Sequence, residues 1–186
     1  MRAEYRLLML AVAWATWVTP FILNRSRGQG KAARIDPRAR VGLLFVALAY
    51  LIANAHGPKM WKTPLEPWRA AIAIFFGVAA ATLSWTAVGN LGRQWRIDAG
   101  LNTDHQLIQS GAYRVVRHPI YLSVLCILAM DIAFVGTLPG WPIAMALAIA
   151  GTEIRVRVED NLLAGRFGEQ FEEWRKRVPA YLPLIR

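Results

Sequence analysis

Cysteine is nearly missing from this sequence: Cys126 stands alone among 186 residues, and there are only three histidines. One cysteine excludes an internal disulfide framework and any multi-cysteine zinc or iron–sulfur site built from this chain alone. No metal cofactor is therefore expected, and Cys126 reads as a small packing residue. Acidic residues are scarce as well, 12 Asp and Glu against 22 Lys and Arg, giving a formal net charge of +10. Internal repeats and low-complexity tracts are absent. So is disorder, because a chain that is 55% hydrophobic cannot stay solvated.

Charge of either sign is missing from long stretches. Leu7 to Asn24 and Val41 to Pro58 are each 18 residues without Asp, Glu, Lys or Arg, and Ala70 to Gly92 is 23. Each is long enough to cross a bilayer core as a helix. From Pro119 to Thr152 the only charge is Asp131. As one helix those residues would reach roughly 51 Å at about 1.5 Å per residue, too long for a single crossing. Pro139-Gly140-Trp141-Pro142 breaks the run, since neither proline donates a backbone hydrogen bond and Pro142 pushes its predecessor out of helical geometry. The reading is an all-α integral membrane protein with five transmembrane helices, the last two a hairpin at about 119–138 and from about 141. The rival reading of the first run as a cleavable signal peptide is disfavoured by its length and by Trp14, Trp17 and Pro20 in place of a small-residue cleavage site.

Five spans put 17 of the 22 basic residues on one side, in Arg25 to Arg40, in the loop after helix three and from Arg155 onward. The positive-inside rule makes that side cytoplasmic and the amino terminus external. Residues 56–67 and Pro139-Gly140 fall on the outer side. Basic residues that flank spans pair with anionic headgroups, so membrane lipids are the expected partners and nucleic acid is not.

Residues 1–90 are mostly span and read as scaffold and substrate-access region; 91–186, with polar segments at 91–118 and 155–186, is where chemistry is expected. Pro119 suits the first position of helix four, which sets His118 at the membrane boundary beside a helix amino terminus. Free amides there, with Arg117, favour an anionic group. Tyr113 and Tyr121 add hydrogen-bonding rings; a plain aromatic and basic interface belt is the alternative. In the segment 153–174, read as the continuation of helix five, Glu153/Arg157 and Arg155/Glu159 are each four apart. Either they are simple exposed pairs, or, beginning directly after an uncharged run, they face a protein interior or cavity. Asp131, near mid-span, is either a structural hydrogen-bonding residue or a buried polar site.

These segments carry a resemblance. Gly111-Ala112-Tyr113-Arg114-Val115-Val116-Arg117-His118-Pro119-Ile120-Tyr121, then Arg155-x-x-x-Glu159-Asp160, Phe167-Gly168-x-x-Phe171-x-x-Trp174 and Arg177-Val178-Pro179-x-x-Leu182-Pro183 resemble the isoprenylcysteine carboxyl methyltransferase family over about residues 89–186. The resemblance implies a membrane enzyme that moves the methyl group of S-adenosylmethionine, leaving S-adenosylhomocysteine, from a pocket at the cytoplasmic face to a lipophilic or lipid-like acceptor. It implies cofactor contacts at His105, Ile108, Tyr113, His118, Tyr121 and Glu159, with Arg155 meeting the acceptor carboxylate. The chain departs from the family pattern at Asp160, where a second glutamate is common, at Phe171 and Trp174, which replace tyrosines, and at Asp98, which replaces an amide of the eukaryotic pattern. A phospholipid N-methyltransferase, a membrane reductase of similar architecture and a non-catalytic membrane protein are the alternatives. Arg155 favours an anionic acceptor over an amine.

Overall fold

The structure is a computed structural model that describes residues 3–25, 32–55, 64–135 and 140–181. It is predominantly helical. Helix α1 (Ala3–Arg25) is followed by strand β1 (Ala32–Ile35), α2 (Ala39–Asn54), α3 (Pro67–Leu91), β2 (Gly100–Asn102), α4 (Pro119–Val135), α5 (Trp141–Phe167) and α6 (Glu169–Arg177). Short 3₁₀ turns occupy Gly92–Gln94 and Gly111–Arg114. Prolines start three of the helices: Pro67 and Pro119 are first residues and Pro142 is second, positions where a missing N–H costs no intrahelical bond. The uncharged stretch from 119 to 152 is thus divided into α4 and α5. Residues 56–63 of the expected outer loop, Pro139 of the expected hairpin turn, and Leu182 and Pro183 of the tail block lie outside the described residues.

The all-α class holds, and one expectation within it needs correction: helix five does not run on to residue 174. It ends at Phe167 because Gly168 takes a positive φ of 52°, its amide still bonded to the Ala164 carbonyl, and the chain restarts as α6. That φ is cheap only for glycine. The helices carry one small addition: part of the basic loop 25–40 forms β1, which pairs antiparallel with β2 in a ribbon with one irregularity, extended by the Asp36 amide on the Ala99 carbonyl at 3.1 Å. Segments of four and three residues are too short to show a period of two in the sequence.

Packing between helices relies on small residues and side-chain hydrogen bonds. Helix α3 turns Ala73, Gly77, Ala80, Ser84 and Ala87 inward, and a Cβ on Gly77 would sit 3.1 Å from the Met130 sulfur of α4. Helices α2 and α5 meet backbone to backbone: a Cβ on Gly42 would stand 2.4 Å from the Gly151 carbonyl oxygen, and one on Gly151 would stand 2.6 Å from that of Gly42. Helix α1 is fixed by indoles. Trp14 donates to Asp131 (2.9 Å) and Trp17 to Ser123 (3.0 Å), both on α4, while Trp85 of α3 donates to the Thr16 carbonyl (2.9 Å). Asp131, 4% exposed, therefore serves here as the acceptor that docks α1.

Beside an apolar core, Ser84, Ser123, Asp131 and Thr152 are buried, whereas Leu44, Leu51, Phe75 and Ile22 are 63–69% exposed. Many large apolar side chains on the outside of helices are what a covering of hydrocarbon or protein accommodates. Tyr5–Asn24 and Pro67–Gln94 are long and apolar enough to cross a membrane; Ala39–Asn54 and Pro119–Val135 are apolar but shorter.

Candidate active site

A cavity of about 440 Å³ opens where α5, the start of α4 and the segment 94–108 meet the carboxyl-terminal half of α1 and the amino-terminal half of α2. Small-ligand sites span roughly 300–1,000 Å³. Arg155, His105, Ile108, Tyr113, His118, Tyr121 and Glu159, the seven residues expected from the sequence, all line it. They come from positions as far apart as 105 and 159 because α5 lies alongside the start of α4.

The charged wall is built from the residues around His118. Its Nε2 lies 2.8 Å from Asp160 Oδ1 and its Nδ1 lies 3.6 Å from Glu159 Oε2, so the ring bridges two consecutive carboxylates of α5. Burial works against an imidazolium, yet the hydrogen bonds to Asp160 and Glu159 and their negative charges hold the His118 pKa above its ordinary value. Burial likewise opposes ionised carboxylates. The His118 bond and charge outweigh it at both, aided by Arg117 at Asp160 and by Tyr121 and Arg155 at Glu159, so both pKa values lie below the usual carboxylate range.

The two residues just before α4 are committed to the tail of the chain. The amides of Arg117 and His118 are taken by the Pro179 and Ala180 carbonyls at 2.8 and 3.0 Å. The Arg117 guanidinium donates to the carbonyls of Arg175 (3.0 Å) and Val178 (2.7 Å) and to Asp160 Oδ2 (3.1 Å). Buried donors must find acceptors, and the last turn of α6 with the irregular segment after it supplies them. Arg117 thus clamps the tail to Asp160. Asp160, which the sequence singled out only as a departure, is 3% exposed and anchors two cations.

Arg155 and Glu159 share a face of α5 but do not pair directly. The Tyr121 hydroxyl stands between them, donating to Glu159 Oε1 and accepting from Arg155 Nε at 2.9 Å. Arg155 is 5% exposed; its Nη2 donates to the Ile97 carbonyl (2.8 Å) and its Nη1 lies 3.5 Å from that of Ala39. Of the five N–H groups of a guanidinium, these contacts leave one on each terminal nitrogen. The close Gly42–Gly151 crossing is what brings the Ala39 carbonyl within reach. The other pair, Arg157 to Glu153 at 2.8 Å, is an ordinary exposed i,i+4 contact.

Opposite this wall the cavity is apolar. Trp17, Phe21 and Ile22 of α1, Leu43 and Val46 of α2 and Val124 of α4 line it. Trp17 meets Phe21 edge to face and Phe21 meets Trp95 at a tilt, with centroids 5.2 and 5.6 Å apart. None of the α1 and α2 residues had been expected at the site, because an apolar residue in a span looks the same whether it faces lipid or a cavity. On three further lining residues, Gln94, His105 and Trp174, the Oε1, Nδ1 and Nε1 atoms are buried with no hydrogen bond among the described residues. Burial holds the His105 pKa below its ordinary value, so its imidazole is neutral at pH 7. Charged groups, rings and orphaned donors and acceptors in one cavity fit a ligand that carries both ionic and heterocyclic parts, as S-adenosylmethionine does. Among the described residues, no group of three or more His, Cys, Asp or Glu is placed to hold a metal ion.

Known proteins carry the same pattern. The sequence model of the isoprenylcysteine carboxyl methyltransferase (ICMT) family matches residues 71–165, a little over half of the chain. The protein-S-isoprenylcysteine O-methyltransferase of Schizosaccharomyces pombe is 30% identical over 45% of this chain and 36% of its own length. That of Dictyostelium discoideum is 23% identical over 91% of this chain and 70% of its own. The cobalt-zinc-cadmium resistance protein CzcN of Cupriavidus metallidurans is 29% identical over 90% of this chain and 76% of its own.

Proposed function

The chain belongs to the isoprenylcysteine carboxyl methyltransferase family and is a methyltransferase, and from that premise we propose that it transfers a methyl group from S-adenosylmethionine to the carboxylate of a lipophilic, isoprenylcysteine-like acceptor. The observation that carries the proposal is the single cavity with a charged wall and an apolar wall, lined by all seven residues the motifs point to. The apolar wall suits a hydrocarbon chain, and the charged wall suits the ionic groups of a cofactor and a carboxylate.

The cofactor supplies a methyl on a sulfonium, from which an in-line attack displaces a neutral thioether. An acceptor carboxylate is already ionised at neutral pH, so no side chain is needed as a base. The work of the protein is to position and to exclude water. The N–H groups left over on the two terminal nitrogens of Arg155 point to that residue as the holder of the acceptor carboxylate. Glu159, fixed by Tyr121 and His118, is the counter-charge to the cationic part of the cofactor, with His105, Ile108 and Tyr113 as further contacts.

In the proposed topology five helices cross the membrane, α5 leaving the bilayer after Thr152, with the cavity and tail cytoplasmic. Residues 1–90 form scaffold and acceptor access, and 91–186 form the cofactor site. The apolar exterior and the clustering of basic residues on one side support it. Calorimetry of the detergent-purified protein tests the function. S-adenosylhomocysteine is expected to bind, and Glu159→Gln to weaken it tenfold or more, the effect of losing a charged hydrogen bond of about 1.5–3 kcal/mol. Arg155→Lys is expected to leave that affinity within twofold while impairing methyl transfer to a lipophilic carboxylate. No binding by the wild-type protein would remove the proposal.

A further inference from the structure

The peptide that anchors Arg155 brings a second charge with it. The guanidinium donates to the Ile97 carbonyl at 2.8 Å, and that carbonyl belongs to the peptide bond shared with Asp98. Asp98, which entered only as a departure from the family pattern, lines the cavity, is exposed, and makes no hydrogen bond or ion pair among the described residues. Burial works against the charge of Arg155, while the Tyr121 hydroxyl, Glu159 and, less strongly, Asp98 favour it and hold its pKa above the ordinary value. The Asp98 carboxylate is therefore close enough to be felt by the guanidinium without being spent on it.

Its backbone is pinned from both sides. Ile97 is tied to Arg155, the Ala99 carbonyl accepts from the Asp36 amide at 3.1 Å, and Gly100–Asn102 is the strand that pairs with β1. Arg96, two residues earlier, also lines the cavity; it donates to Asn102 Oδ1 at 2.9 Å and forms no ion pair with Asp98. Glu159 reaches Arg155 through Tyr121 at Nε, whereas Asp98 follows the carbonyl at Nη2, so the two carboxylates lie by different nitrogens. An acceptor that is a bare carboxylate would meet Arg155 and be repelled by Asp98. An acceptor with an ammonium on the carbon next to its carboxylate meets both, because its opposite charges are as close together as those of Arg155 and the residue beside its anchor.

We propose that Asp98 selects a zwitterionic acceptor, an S-alkylated cysteine with a free α-ammonium, Arg155 taking its carboxylate and Asp98 its ammonium. This rests on the acceptor reading given above and deepens it. A nitrogen that is acylated or held in a peptide carries no charge and gives Asp98 nothing to pair with, so the preferred substrate is a small amino acid derivative and not the end of a polypeptide. A site built to bind a polar group rejects the analogue that lacks it. The ammonium has no lone pair, and the methyl group still goes to a carboxylate oxygen.

The test measures kcat/KM of the detergent-purified protein at about pH 7, where an α-ammonium is charged, for methyl transfer from S-adenosylmethionine to S-farnesylcysteine and to N-acetyl-S-farnesylcysteine. The wild type is expected to prefer the free amino acid by about tenfold or more, the scale of a charge-assisted hydrogen bond. Asp98→Asn should lower that ratio about tenfold, and Asp98→Glu should keep most of it. The ratio does not depend on the fraction of active protein, so partial unfolding of a variant cannot imitate the result. S-adenosylhomocysteine affinity in Asp98→Asn should stay within about twofold of wild type; a loss of about tenfold would give Asp98 to the cofactor and overturn the inference. An unchanged ratio in Asp98→Asn, or a wild type that prefers the acetylated acceptor, also overturns it. A wild type that binds S-adenosylhomocysteine yet methylates neither compound overturns the acceptor reading, and one that does not bind S-adenosylhomocysteine overturns the cofactor reading.

Discussion

At its charged end the cavity is walled by side chains that hold one another. His118 lies between Asp160 and Glu159, Arg117 ties Asp160 to the tail carbonyls, and the Tyr121 hydroxyl links Glu159 to Arg155. At its apolar end Trp17, Phe21, Leu43 and Val46 do nothing for each other of that kind; their places are set by where α1 and α2 cross their neighbours. The charged end is therefore a local network that stands or falls as a unit, and the apolar end follows from helix packing some distance away. The two are joined through α5. The same crossing that seats Val46 against Gly151 brings the Ala39 carbonyl to Arg155.

The sharpest way to break the charged end is to remove its shared anchor. Asp160→Leu leaves Arg117 and His118 buried without their carboxylate and should cost about 3–5 kcal/mol, read as a large drop in melting temperature in detergent. An unchanged melting temperature would refute the idea of a self-supporting network. A valine at Gly42 strikes the junction. Its Cβ meets both the Gly151 oxygen and the Arg155 side chain, so overpacking of about 1–3 kcal/mol is expected, together with a raised KM for a lipophilic acceptor through either end of the cavity and S-adenosylhomocysteine affinity near wild type; a normal KM would detach both ends from this crossing.

Smaller in effect, and specific to the charged end, is the pH dependence of stability. His118 has a raised pKa in the folded state, so its contribution is complete below the unfolded value of about 6.5 and is lost as pH rises through the folded value. Asp160 and Glu159 have lowered values, so theirs is complete above the unfolded carboxylate range and is lost as pH falls through the folded values. Melting temperature should decline on both sides of a plateau, and His118→Gln should flatten the alkaline decline; an identical alkaline limb in that variant would contradict the assignment. The smallest effect belongs to Arg157→Ala, which breaks only the exposed pair with Glu153 and should cost under about 0.5 kcal/mol in thermal unfolding. A larger loss would place that pair inside the network.

What could be read in the sequence follows the same division. Tyr113, His118, Tyr121, Arg155 and Glu159 were legible because they sit in two compact motif blocks, and the start of α4 and the break before α5 because proline leaves few options. The role of Arg117 was misread, since its acceptors lie about sixty residues downstream and nothing local announces them. The wall from α1 and α2, the Gly42–Gly151 crossing and the β1–β2 ribbon were not legible, because each is defined by a contact between distant segments.

The tail carbonyls that satisfy Arg117 and His118 give the protein a schedule as well as a shape. Every helix through α5 is synthesised before Pro179 and Ala180 are added, at about 5–20 residues per second, yet the His118 corner cannot close without them. Closing that corner therefore belongs to the last part of the chain's assembly, and a copy interrupted before Pro179 would keep the corner around His118 open.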